Sequence, residues 1–96
     1  MKLEARLRAF AALARQRSFS SAAAELRISQ PAVSKHIAEL EADIGVTLVD
    51  RTRRGSLTSA GEFVADYALR AEALLVQANL GVAQFREGGT GSIAIV

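Results

Sequence analysis

The residues best placed to do chemistry together are Gln30, Pro31, Ser34 and Lys35. On a helix they gather on one side, because positions three and four apart are neighbours there. They offer an amide with both donor and acceptor, an apolar ring, a hydroxyl and an ammonium. Such a set suits recognition by hydrogen bonds and close contact. Gln30 can pair with the exposed edge of adenine, Pro31 can touch a thymine methyl, and Lys35 can reach guanine O6/N7 or a phosphate. Ser34 is adaptable, donating or accepting. Catalysis has much weaker footing. His36 is the only histidine and cysteine is absent, so a histidine pair or thiolate metal site is unavailable. The carboxylates are scattered, the serines have no histidine base at a suggestive spacing, and no glycine loop could cradle a phosphate. The chain is not expected to be an enzyme, nor to hold a cofactor or metal.

Those four residues need a rigid support. Ser29 or Gln30 can cap a helix, Pro31 fits its first turn, and Gly45 stands where a left-handed closing residue is needed. Val33, Ile37, Leu40 and Ile44 recur at spacings of four, three and four, which predicts a buried face for a helix over 29–44. His36 falls beside this stripe and reads as packing or as a neighbour of a phosphate. An amphipathic core helix with an ordinary outer face is the competing interpretation of the stretch taken alone.

The preceding segment narrows the choice. Leu3, Leu7, Phe10, Leu13 and Ala14 predict an amphipathic helix over residues 3–16, broken at Ser18, with Phe19 as a buried anchor. Ser20 is a plausible cap for a short helix over 21–27, in which Ala22, Ala23 and Leu26 can pack closely. Residues 27–30 then form a tight turn with Ile28 pointing inward. A short helix, a tight turn and a capped second helix predict a helix-turn-helix over about 18–37. Beyond Gly45, Val46, Leu48 and Val49, and then Ser56-Leu57-Thr58, read as the arms of a small hairpin, or wing. Its tip, residues 50–55, carries Arg51, Arg53 and Arg54. All three could reach phosphates or the minor groove, or simply stand in a solvated loop. Arg51 has a second reading as a structural tie to Asp50 or a helix carboxylate.

From Ser59 a long helix begins, capped by Thr58 or by a Ser59…Glu62 capping box. Ala60, Val64, Tyr67, Ala71, Leu74, Ala78, Gly81 and Phe85 continue at alternating spacings. At ~1.5 Å per residue such a helix outruns the small domain before it. Its apolar stripe therefore calls for a partner, most simply a second copy, with Val64, Tyr67, Ala71, Leu74, Ala78 and Phe85 at the interface. A membrane-surface helix is the rival, but the polar face lacks the expected lysines and arginines. Gly88-Gly89-Thr90-Gly91 reads as a hinge and residues 92–96 as the start of a strand, as expected if more chain follows. The pattern divides into a domain over 1–58, a linker helix over 59–87 and a hinge region over 88–96. It predicts a mainly α fold: a three-helix core with a small β wing, then a dimerisation helix.

Composition agrees with a polyanion partner. Through Thr58, ten Lys/Arg oppose six acids, a balance of +4; from Ser59 on, two arginines oppose four acids, a balance of −2. No apolar run approaches the ~20 residues of a membrane span, and no signal-peptide pattern is present, so a cytoplasmic protein is expected.

The run SFSSAAAELRISQPAVSKHIAELEADIGVTLVDRTRRGSLTSAGE closely resembles the DNA-binding domain of LysR-type transcriptional regulators. The most specific pieces are S-F-x-x-A-A, S-Q-P-A-V-S, L-E-x-x-I-G and L-T-x-A-G. The resemblance extends from Leu3 to about Phe85, and GSIAIV resembles the first strand of that family's effector domain. It implies a winged helix-turn-helix with an antiparallel dimerising helix. It also implies transcription control of a metabolic operon, full-length proteins that are commonly tetramers, and a small-molecule inducer acting through the effector domain. A two-fold dimer in turn calls for an inverted-repeat operator on double-stranded DNA. Contacts carried over are Gln30, Pro31, Ser34 and Lys35 for bases and nearby phosphates, Ser20 and Ser21 for backbone phosphates, and Arg53 or Arg54 in the wing. Two departures stand out: Val49 replaces the family's usual Phe, and the wing is a residue shorter than common. A protein-only interaction module remains the alternative, and it would show weak DNA binding with little sequence dependence.

Overall fold

The computed structural model describes residues 1 and 3–86. The expected hinge and strand at 88–96 lie outside the described residues. Helix α1 spans Ala5–Gln16, α2 Phe19–Leu26, α3 Gln30–Ile44 and α4 Ser59–Arg86. Between α3 and α4, strands β1 (Val49–Asp50) and β2 (Ser56–Leu57) pair antiparallel, with Val49 opposite Leu57 and Asp50 opposite Ser56. No described helix is long and apolar enough to cross a membrane.

Helix α1 is the hub. It packs against α2, α3 and α4, and Ala9 to Ala14 are buried without a break. Four of those six side chains are alanines, so three helices can approach one axis from different sides. Phe10 and Leu13 fill the space between them, with Val33 and Ile37 from α3 and Leu48 and Val49 from the start of the wing. Ala22, Ala23, Ala65 and Ala68 complete a core built on close helix contact.

Capping explains most boundaries. Ser29 accepts from the Ala32 N–H at 3.1 Å, Pro31 sits in the first turn, and Gly45 closes α3 at φ +79°. Thr58, rather than a Ser59…Glu62 box, caps α4: its hydroxyl accepts from the Gly61 N–H at 3.0 Å and donates to the Thr47 carbonyl at 2.7 Å. Glu62 is engaged elsewhere, in a two-pronged pair with Arg17 at 3.0 Å. Helix α2 begins earlier than the sequence suggested. Ser18 is its cap, accepting from the Ser21 N–H at 3.2 Å, so Ser20 stands inside the first turn. Arg17 and Arg27 close α1 and α2 in left-handed conformation, at φ 56° and 59°.

Three expectations are corrected. Ile28 is 38% exposed rather than inward, because the turn after α2 closes through its backbone N–H on the Ala23 carbonyl (3.1 Å). Ile44 does not finish the buried stripe; it is 46% exposed because the last turn of α3 runs beyond the core. The wing has strands of only two residues, and Val46 stays outside them. Its tip folds back: Gly55, at φ +83°, is buried against the Phe19 ring and Leu13.

Candidate nucleic-acid interface

The outer face of α3 presents Gln30, Pro31 and Lys35 to solvent, with Ser34 half-buried beside them. None of the four takes part in the core, which claims only Val33, Ile37 and Leu40 from this helix. Ser20 and Ser21 are exposed on the first turn of α2, with Ser20 Oγ 3.1 Å from the Ser18 hydroxyl. The Ser21 N–H is committed to the cap, so its hydroxyl is the group left for a ligand.

Charge pairing separates structural from available cations. Arg15 bridges Glu25 and Glu72, tying α1 to α2 and α4, and Arg17 grips Glu62. These contacts hold the Glu25 and Glu62 carboxyls below the usual carboxylate range, through hydrogen bonds from Arg15 and Arg17 respectively. Among the described residues, Arg8, Arg27, Lys35, Arg53, Arg54 and Arg86 form no ion pair. Lys35 stands on α3, Arg27 in the turn that leads into it, and Arg53 and Arg54 in the wing. Sequence reasoning passed over Arg27. Its signal was a lone cation in the turn of a helix-turn-helix.

Two ties set the wing against α3. The Glu41 carboxylate, mostly buried, accepts from the backbone N–H groups of Leu48 (2.7 Å) and Val49 (3.1 Å). Asp50 caps the turn at 51–53, accepting from both the N–H and the hydroxyl of Thr52, which keeps its carboxyl below the ordinary range. Arg51 therefore does not pair with Asp50. It lies 3.8 Å from Glu41 and donates to the Ser34 hydroxyl at 2.5 Å, while Arg53 and Arg54 remain exposed. His36 is half-buried, 3.7 Å from Glu39, and its Nδ1 has no hydrogen-bond partner among the described residues.

The second surface lies along α4. Gly61, Ala65 and Ala68 turn one face of the helix onto the domain, and Val64 goes partly with them, packing against the domain's own core. Tyr67, Leu74 and Phe85 stand more than half exposed, with Ala71 and Ala78 between them. Phe63, which the sequence reading omitted, extends the stripe and meets the Tyr67 ring at 5.2 Å. Arg70 lies over the same ring at 4.4 Å.

Comparison with known proteins places this geometry. The sequence pattern described as bacterial regulatory helix-turn-helix protein, lysR family, matches residues 5–62. The uncharacterized HTH-type transcriptional regulator Rv2282c of Mycobacterium tuberculosis is 42% identical over 88 residues, which is 91% of this chain and 28% of that protein. A crystal structure of the BenM DNA-binding domain with catB site 1 DNA superposes with a TM-score of 0.78 at 32% identity, covering 86% of this chain and 90% of the other. Vibrio fischeri DarR in complex with DNA gives 0.67 at 34% identity, covering 91% of this chain and 30% of DarR. The chain thus spans under a third of the length of that curated relative.

Proposed function

The chain belongs to the LysR family of bacterial regulatory helix-turn-helix proteins, and on that premise we propose that it binds operator DNA sequence-specifically as a transcriptional regulator. One observation carries the reading. The cations left unpaired around α3 flank an exposed polar face that the core does not use. Gln30, Pro31, Ser34 and Lys35 meet base edges and adjacent phosphates in the major groove. Ser20 and Ser21 hold backbone phosphates on one side, and Arg27, Arg53 and Arg54 supply charge beside them.

The exposed stripe of α4 supports a homodimer. Over its 28 residues the helix extends about 42 Å at ~1.5 Å per residue; its buried residues end at Ala68, and beyond them the domain meets it on one side, where Arg15 reaches Glu72 and Met1 reaches Asn79. A two-fold pair would set two copies of α3 about one DNA turn (~34–36 Å) apart, or a multiple of it, so the operator is an inverted repeat. A small-molecule inducer would act through an effector domain beyond this chain, and a protein working on the chromosome would work in the cytoplasm.

The test is selection of duplexes from a random pool, followed by titration of the winner at several salt concentrations. Affinity should fall steeply with salt, as counterions are released. Lys35→Ala should weaken binding by about 1–3 kcal/mol if its contact is to a base. Weak binding without sequence preference, or a Lys35→Ala variant indistinguishable from wild type at matched salt, would sink the proposal.

A further inference from the structure

Arg51 is an exposed arginine that is nevertheless held from three sides. Its Nη1 donates to Ser34 Oγ at 2.5 Å and its Nη2 to the Ser34 carbonyl at 3.3 Å. Glu41 Oε1 lies 3.8 Å away, and the guanidinium sits 5.6 Å from the centre of the Phe19 ring. Arg53 and Arg54, its neighbours in the wing, show no such anchoring and face solvent. A side chain pinned this way is not simply another free cation.

We propose that Arg51 is a positioning residue that sets the hydrogen-bonding polarity of Ser34, turning its hydroxyl proton toward an acceptor atom of DNA. The inference rests on the reading of α3 as the helix in the groove. A guanidinium has donors only, whereas a serine hydroxyl has one proton and two lone pairs. The Arg51 donor occupies one lone pair, and its positive charge drives the proton to the far side of the oxygen. The remaining lone pair lies in an electropositive field, which disfavours a second donor. Ser34 therefore rejects the amino groups of adenine and cytosine. It favours purine N7, guanine O6, thymine O4 or a phosphate oxygen. Taken alone, Ser34 is ambivalent; beside Arg51 it becomes selective.

The experiment starts from a duplex selected by the wild-type chain out of a random pool. Wild type, Ser34→Ala and Arg51→Met are titrated against that duplex. They are also titrated against versions with one acceptor deleted at a time (7-deazapurine for purine N7, 2-aminopurine for guanine O6, 5-methyl-2-pyrimidinone for thymine O4, methylphosphonate for a phosphate oxygen), or with purine in place of adenine. Melting curves confirm that each variant is folded. One acceptor-deleting change should weaken the wild type about fivefold, the worth of one hydrogen bond of ~1 kcal/mol, and leave Ser34→Ala unaffected. A base analogue at that position identifies a base, a methylphosphonate a phosphate. Arg51→Met should lose most of the same sensitivity with an unchanged salt slope. A salt slope lower by about one in Arg51→Met would mean that Arg51 itself binds a phosphate, which overturns the proposal. Undiminished sensitivity in that variant also overturns it, as does a Ser34-dependent contact to an amino group. If Arg51→Met does not fold, the wild type and Ser34→Ala decide between acceptor and amino contact by themselves. A wild type that enriches no sequence removes the DNA-binding reading and this inference together. One that does enrich, but fails the Arg51 and Ser34 arms, removes only this inference.

Discussion

Replacing Gly61 with alanine should damage the fold although it improves the helix. A Cβ at this position would stand 2.0 Å from the Leu48 carbonyl oxygen, 3.0 Å from its carbon and 3.1 Å from the Leu57 Cβ. An ordinary carbon–oxygen contact is about 3.3 Å or more, so the parts must separate by over an ångström. The Leu48 carbonyl cannot easily yield. It accepts from the Thr58 N–H at 3.0 Å, and the Leu48 N–H is held by Glu41 at 2.7 Å. Helix α4 must move instead, opening the seam in which Ala65 and Ala68 are buried. Overpacking of this kind costs about 1–3 kcal/mol or more, and the obstruction here is backbone, placing the cost at the upper end. The better helix propensity of alanine returns about 1 kcal/mol. A net loss of about 2 kcal/mol should lower Tm by roughly 8–16 °C for a domain of this size. Circular dichroism melts of wild type and Gly61→Ala read this directly. A variant melting at or above the wild-type temperature would show that α4 does not approach Leu48 as described.

Three further outcomes follow from contacts already described. Glu41→Ala strips the acceptor from two backbone N–H groups, and at about 1–3 kcal/mol for each orphaned group its urea midpoint should fall clearly, with Glu41→Gln intermediate; equal midpoints would contradict the clasp. The Glu62 carboxyl is held below its unfolded value of about 4.3 by Arg17, so its stabilisation is present above that value and is lost as pH falls through the lowered folded value. Melts in acid should therefore show the gap between wild type and Glu62→Gln closing below about pH 4, whereas a constant gap would mean the pair contributes nothing. Leu74→Glu places a charge on a residue 63% exposed in the single chain, so the monomer should stay folded while sedimentation equilibrium shifts from dimer to monomer. An unchanged mass would remove α4 from the interface.

Much of the architecture was legible in local chemistry. Ser29, Pro31 and Gly45 bound α3, and the spacing of Val33, Ile37 and Leu40 names its buried face. These signals act within a turn or two of the chain, so they survive translation from sequence to structure. Where longer reach was required, reading the sequence fell short. The exposure of Ile44 depends on where the core ends, and that of Ile28 on how the turn after α2 closes.

The wing shows the division most clearly. The sequence by itself determined that a basic turn follows α3, and that Glu41 and Gly61 occupy positions of a specific pattern. Only the tertiary structure decided that Glu41 clasps the backbone at Leu48 and Val49, that Gly61 makes room for the Leu48 carbonyl, and that Arg51 belongs to Ser34 rather than to solvent. The reason is geometric. Caps and helical periodicity are settled between residues a few positions apart. A hydrogen bond between residues 34 and 51, or a contact between 48 and 61, exists only once separate elements have been packed at one angle and one distance.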